Sequence, residues 1–243
     1  MNFKSIVLLE SVESDYKKRP KRLDLSNGVY NYEQPLSYEI ALDCERFVFK
    51  MRENSIAMAE FNQLAIVFVS KPFGPDLQIY EPTFAIKSKV KYVNIYVSSS
   101  FFNSLNSFKK REYVLSLIYS SLLLVCGNDK KSVLYNIFFD ILRLKDQTKC
   151  LWKEKVGPKY TVTISFYSSV TQKYTITATF KNNETNRTKD VELFNHGSFA
   201  DLVYGASKIS LKGDVCFITG KPCYHNENDD SRMFKLSEFS ELQ

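Results

Sequence analysis

The sequence predicts an α+β fold in which antiparallel sheets carry a central αα-hairpin, packed on the N-terminal sheet, and a β-rich C-terminal half follows. Three observations predict it. Lys91–Val97 reads as a strand, and the longest uncharged apolar run of the chain, Tyr113–Asn128, comes soon after. A second apolar-striped segment, Val133–Leu144, follows across a short polar break. From Lys149 onward apolar and polar residues alternate. A repeat near 3.6 marks a helix with one buried face, and a repeat of two marks a strand. The chain is therefore expected to divide into a sheet plus helical hairpin over 1–148 and a β-rich half over 149–243.

Taken in order, Phe3–Leu9 reads as the first strand. The segment Ser11–Leu25 then carries a basic knot, Lys17, Lys18, Arg19, Lys21 and Arg22, broken by Pro20. Nothing apolar repeats in it, so it reads as a solvated loop, or as a contact for an acidic partner. Leu36–Met51 reads as a strand, because Leu36, Tyr38, Ile40, Leu42 and Cys44 alternate with polar residues. Phe47 and Phe49 then take the odd positions, which suggests a bulge near Glu45 and Arg46. Leu64–Val69 is a continuous apolar run of the buried-strand type. Leu77–Tyr80, Phe84–Ile86 and Tyr92–Val97 complete a sheet of about five strands.

The first helix of the hairpin is expected to restart near Ser107 after a short turn at Ser99 or Ser100. Val114, Leu117, Ile118, Ser121, Leu122 and Val125 then form one broad buried face. Gly127 serves as C-cap, and Asn128 or Asp129 as the next N-cap. The second helix puts Val133, Leu134, Ile137, Phe138, Ile141 and Leu142 on one face. Lys109, Lys110 and Arg111 fall in the first turn, where the helix dipole already presents positive charge. The adopted reading is that the helix begins upstream near Phe101. The alternative is that these cations serve an acidic partner.

In the C-terminal half, Tyr160, Val162, Ile164 and Phe166 alternate with polar residues, as do Tyr174, Ile176, Ala178 and Phe180. They read as a hairpin with one apolar face, turning at Ser168–Gln172. Val191–Phe194 is the next strand, and Ser198–Tyr204 a short helix before Gly205. Ile209, Leu211, Val215 and Phe217 suggest a last hairpin turning at Lys212-Gly213-Asp214. The Gln243 end is expected to be loose.

Composition narrows the function classes. Eight glycines in 243 residues argue against phosphate-cradling loops, and 19 Phe with 15 Tyr favour packed or contact surfaces. The formal charge of +6, from 33 Lys and Arg against 27 Asp and Glu, is modest for a nucleic-acid binder. Five cysteines, Cys44, Cys126, Cys150, Cys216 and Cys223, are scattered and show no disulfide framework. No signal-peptide pattern stands at the N-terminus, and Tyr113–Asn128 is too short to cross a bilayer, so a cytoplasmic protein is expected.

No catalytic constellation stands out, and no catalytic residue, cofactor or metal is assigned. Cys216, Cys223 and His225 invite a zinc reading, but their spacing lacks the paired ligands of a structural site. Pairing Cys223 with His225, or Cys216 with His196, gives a formal dyad without a nucleophile turn around it. Walker, dinucleotide and His-Glu-x-x-His patterns do not occur. Two sequons, at Asn183 and Asn186, read as chance matches in an Asn/Thr-rich turn.

The run Val93–Phe102, followed by Lys109-Lys110-Arg111-Glu112-Tyr113-Val114-Leu115, resembles a strand and cation-headed helix of bacterial immunity proteins. These accompany polymorphic and contact-dependent toxins. The resemblance implies a non-enzymatic cytoplasmic inhibitor that binds one cognate toxin domain and blocks its active site or substrate path. The positive charge then suits an acidic or neutral toxin face. The contact residues expected are Lys17, Lys18, Arg19, Lys21, Arg22, Lys109, Lys110 and Arg111. The alternative is a single-stranded nucleic-acid-binding sheet protein that stacks bases on Tyr-rich strands.

Overall fold

A computed structural model describes residues 3–11, 21–22, 30, 34–58, 61–71, 76–80, 89–170, 173–197, 199–221 and 232–242. The chain forms two compact units, Met1–Lys145 and Asp146–Gln243, and its class is α+β.

In the first unit, β1 (Ser5–Ser11), β2 (Lys21–Arg22), β3 (Gln63–Val69), β4 (Leu77–Tyr80) and β5 (Val90–Tyr96) form one sheet in the order β2-β1-β3-β5-β4. Its three inner strands run parallel, with Ile6 opposite Leu64 and Ile66 opposite Val93. Only the edge strands β2 and β4 are antiparallel. The sheet is thus mixed, where the sequence pattern suggested an antiparallel one. A parallel neighbour requires a crossover, and helices usually supply it.

The crossover is α1 (Gln34–Glu53), in the segment that alternation presented as a bulged strand. The burial pattern corrects that reading. Leu36, Ile40, Cys44, Phe47, Val48 and Met51 are buried at steps of three and four, while Tyr38 is exposed. The apparent change of phase at Glu45 and Arg46 is the 3.6-residue period itself. The expected strand Phe84–Ile86 lies outside the described residues.

β3 is buried on both faces, as an inner parallel strand should be. Leu64, Ile66 and Phe68 join the core formed with the helices. After β5 come α2 (Ser99–Ser104), α3 (Ser107–Cys126) and α4 (Lys131–Leu144). Gly127 closes α3 at φ +90, donating its N–H to Leu123 O at 3.0 Å. That backbone region favours glycine. The turn lets α4 fold back on α3 as the expected αα-hairpin, and both helices pack on α1. Val114, Leu115, Ile118 and Leu122 of α3 meet Leu134, Ile137 and Ile141 of α4 in the buried cluster. Full burial of one such side chain stabilises by about 1.5–3 kcal/mol. These faces make the hairpin scaffold.

In the second unit, β6 (Cys150–Val156), β7 (Tyr160–Ser169), β8 (Lys173–Asn182) and β9 (Thr188–Gly197) form an antiparallel meander in chain order. The alternating residues of β7 and β8 that the sequence singled out are all buried. Ile164 sits opposite Ala178 and Phe166 opposite Ile176. After α5 (Phe199–Gly205), β10 (Lys208–Lys212), β11 (Val215–Thr219) and β12 (Arg232–Lys235) make a second sheet. Gly213 turns the β10–β11 hairpin at φ +62. Leu211 pairs with Cys216 and Ile209 with Ile218. The buried residues of β11 are therefore Cys216 and Ile218, not Val215 and Phe217. Leu242 is buried, and its carbonyl accepts from Asn182 Nδ2 at 2.9 Å, so the chain is anchored up to that residue.

Candidate protein-binding edge of the parallel sheet

Parallel strands end on the same side, so the carboxyl ends of β1, β3 and β5 define one edge of the sheet. In open α/β sheets this is the edge where connecting loops gather and ligands dock. Near the end of β1, Leu9 and Glu10 pair with Arg22 and Lys21 of β2. The backbone of two expected contact residues thus lies at this edge. The side chains of Lys21 and Arg22, and all of Lys17, Lys18 and Arg19, lie outside the described residues.

At the end of β5 the chain enters α2 through Val97 and Ser98. Ser98 caps α2, its Oγ accepting from Phe101 N at 3.3 Å. Tyr30 connects this exit to the end of β3. Its hydroxyl donates to Val97 O at 3.0 Å, and its ring meets Phe68 and Phe102 edge-on, centroids 5.7 and 5.6 Å apart. Burial, and then the nearby Glu10 carboxylate, hold the Tyr30 hydroxyl far above its ordinary pKa. Phe102 in turn lies beneath Lys110, whose Nζ stands 5.6 Å from the ring centroid. Two cationic segments far apart in sequence therefore lie toward the same end of the parallel strands, with β1 and β3 between β2 and β5.

The three cations at the head of α3 have separate fates. α2 ends at Ser104, and α3 begins afresh at Ser107 with Asn106 as N-cap, its Oδ1 accepting from Lys109 N at 2.9 Å. The upstream start near Phe101 thus belongs to a different helix, and the cations do sit in a first turn. Lys109 is exposed, and Lys110 is half-buried over Phe102.

Arg111 is not a surface contact, which corrects its place among the expected binding residues. It is only 2% exposed. Its Nε and Nη2 donate to Asp43 at 2.8 and 3.0 Å, and Nη2 also donates to Ile141 O at 3.2 Å. Asp43 is fully buried and also accepts from Arg46 Nη1 at 2.6 Å. Glu39 approaches Arg111 Nε at 3.1 Å. A guanidinium offers five donors in a fixed fork, so it can hold several acceptors at once. Arg111 uses them to tie α3 to α1 and α4, and its charge is compensated inside the protein.

The surface left at this end is aromatic and cationic. Phe101 is 49% exposed and packs edge-on against Tyr113 at 5.5 Å. Phe108 is 54% exposed, with Lys145 Nζ 5.3 Å from its ring centroid. These two rings were not distinguished in the sequence. In a helix as short as α2, adjacent Phe101 and Phe102 cannot both face the core, and Phe102 takes the inner place. Phe108 falls in the first turn of α3, where the stripe of Val114, Ile118 and Leu122 has not yet begun.

Three described thiols are held protonated by burial. Burial, and then the adjacent Asp43, hold the Cys44 thiol far above its ordinary value. Burial also pushes Cys216 up to about 12 and Cys126 up to about 11. A thiol must ionise to attack or to bind metal, so these three sites oppose both roles. Cys223 and His225, and the side chain of His196, lie outside the described residues. Among the described residues no group of three His, Cys, Asp or Glu side chains is placed to hold a metal ion. The Asn183 sequon amide donates to Gly157 O at 2.8 Å and acts as a turn brace. No described helix is long and apolar enough to cross a membrane. Comparison of the chain with protein-family models, with curated proteins and with solved structures gives no match.

Proposed function

We propose that this chain is a non-enzymatic binding protein that neutralises a cognate toxin domain in the cytoplasm, and that the carboxyl edge of its parallel sheet makes the contact. One observation carries the reading. The backbone of Lys21 and Arg22 and the head of α3, with Lys109 and Lys110, lie toward the same end of the parallel strands, and Phe101 and Phe108 expose their rings around that head. Aromatic residues supply most binding energy at protein interfaces, and surrounding cations steer an acidic partner into register. The partner face is accordingly acidic around an apolar recess that receives the two rings. Occupation of such a recess is how the chain blocks an active site or substrate path.

The described strands lend the sheet-stacking alternative little support, Tyr167 of β7 being half-buried like the tyrosines of β5. Tyr92 and Tyr96 are half-buried, and Tyr160 and Tyr174 are buried. Base stacking needs a free ring face.

Co-expression with the product of the adjacent gene tests the proposal. The expected result is a 1:1 complex and rescue of cells from that product. Phe108→Ala and Lys109→Glu each weaken the complex by at least about tenfold, a typical cost for an interface anchor. A chain that remains alone and gives no rescue refutes the reading. Binding of single-stranded oligonucleotides that weakens with salt, without any protein complex, replaces it by the nucleic-acid alternative.

A further inference from the structure

A different surface runs along α4. Its outward line is Tyr135, Phe139 and Arg143, at successive four-residue steps. Tyr135 is 51% and Phe139 46% exposed. Their rings stack at 18° with centroids 6.3 Å apart, and the Arg143 guanidinium lies 5.8 Å from the Phe139 ring. Tyr119 of α3 and Phe138 flank the line, with centroids 5.4 Å apart. The core positions of α4, Leu134, Ile137 and Ile141, are already satisfied on the other side. Tyr135 also meets Tyr119 and Phe138, each at 6.3 Å between centroids, yet Tyr135, Phe139 and Arg143 all stay exposed.

The line is symmetric in spacing about Phe139, with Tyr135 one step before it and Arg143 one step after. Two copies of α4 crossing antiparallel about a twofold axis at Phe139 would place each Tyr135 against Arg143 of the other copy. Each guanidinium then lies on a ring face, a favourable contact that strengthens on desolvation. Phe139 meets its own counterpart at the centre. A parallel crossing would instead oppose Arg143 to Arg143. A twofold, isologous contact requires this kind of self-complementarity. Two terms keep it weak. The helix spans only about 21 Å, at the small end for a stable interface, and each copy carries +6.

We propose that the Tyr135–Phe139–Arg143 line of α4 is the interface of a weak antiparallel homodimer, so that a second copy of this chain covers it. The inference stands apart from the toxin-binding reading, which uses the sheet edge.

Sedimentation velocity of the purified full chain, from about 1 to about 300 µM, tests it. The wild type is expected to shift from monomer to dimer across that range, and Phe139→Glu to remain monomeric throughout. Arg143→Glu and Tyr135→Lys are each expected to weaken the dimer at least about tenfold. The double variant Tyr135→Lys with Arg143→Glu is expected to restore it through two inter-copy ion pairs. Positions 135 and 143 lie about 12 Å apart along one helix, so the rescue cannot arise within a single copy. All three side chains are exposed, and circular dichroism verifies that the variants fold. A wild type that is monomeric at every concentration overturns the proposal, as does a dimer indifferent to Phe139→Glu. Failure of the double variant to recover overturns the antiparallel arrangement. A lone monomer whose complex with the adjacent-gene product is lost on Phe139→Glu assigns the line to that protein instead.

Discussion

Asp43→Ala is expected to be the most damaging single polar substitution in the first unit. The Asp43 carboxylate is fully buried and accepts three N–H bonds, from Arg46 Nη1 at 2.6 Å, Arg111 Nε at 2.8 Å and Arg111 Nη2 at 3.0 Å. Removing it takes a buried counter-ion from two guanidiniums. Breaking a buried pair in this way costs about 3–5 kcal/mol, because the surviving charge has lost its counter-ion. Arg111 keeps Glu39 at 3.1 Å and the Ile141 carbonyl at 3.2 Å, which places the cost near the lower half, about 3–4 kcal/mol. With a urea slope of about 2 kcal/mol per molar, the midpoint falls by about 1.5–2 M. The helical signal at 222 nm is the right probe, because α1 to α4 lie in the first unit. The companion variant replaces Asp43, Arg46 and Arg111 together by Leu, Met and Met. It is expected to recover most of the loss, since apolar side chains of similar volume often replace a buried ion cluster without penalty. A fall below about 0.5 M for Asp43→Ala would refute the argument that this carboxylate compensates the buried arginines.

Two further outcomes follow from the same kind of reasoning. The native Cys44 thiol is held protonated far above its ordinary value, while the unfolded thiol ionises near pH 8.5. The unfolded state therefore releases a proton that the native state retains, so the contribution of Cys44 is complete below about pH 8.5 and is lost above it, at about 1.4 kcal/mol per pH unit. Urea midpoints of the wild type and Cys44→Ala measured from pH 7 to 10 are expected to converge as pH rises, and parallel curves would contradict the assignment. Asn182→Ala removes the Oδ1 that accepts from Glu184 N and Thr185 N at 2.9 and 3.3 Å, and the Nδ2 that donates to Leu242 O. The loss is expected to be about 2–3 kcal/mol, with faster amide hydrogen exchange over residues 236–242, as measured by mass spectrometry.

How much of this molecule was legible depended on whether a residue's neighbours in sequence are also its neighbours in space. The β7–β8 hairpin was readable because Tyr160 to Phe166 and Tyr174 to Phe180 each bury one face. The helices of the αα-hairpin were readable because Gly127 separates two apolar stripes of 3.6-residue period. α1 was misread because Leu36, Ile40 and Cys44 satisfy an alternating template and a helical one equally well. Only Phe47, Val48 and Met51 distinguish the two. In β11 the face was missed because the two-residue turn sets Leu211 opposite Cys216, which reverses odd and even across the hairpin. The candidate edge was legible only in pieces. Lys21 and Lys109 could be noticed separately, but only the parallel pairing of distant strands puts their segments toward one end of the sheet. The burial of Arg111 depends on Asp43, a carboxylate in a helix the sequence had presented as a strand.

That parallel pairing also sets the order in which the chain can fold. β7 and β8 close on each other across the short turn between Ser169 and Lys173, an event of local contacts and small loop entropy. β1 has no comparable neighbour. Beyond its two-residue contact with β2, its partner is β3, so Ser5 must await Gln63, with the whole of α1 between them. Non-local pairings of this kind slow folding, because the loop is closed before the contacts that stabilise it have formed. As the chain leaves the ribosome, the hydrogen-bonding edge of β1 therefore stays open until α1 and β3 have both been synthesised. During that interval it is available for pairing with another chain.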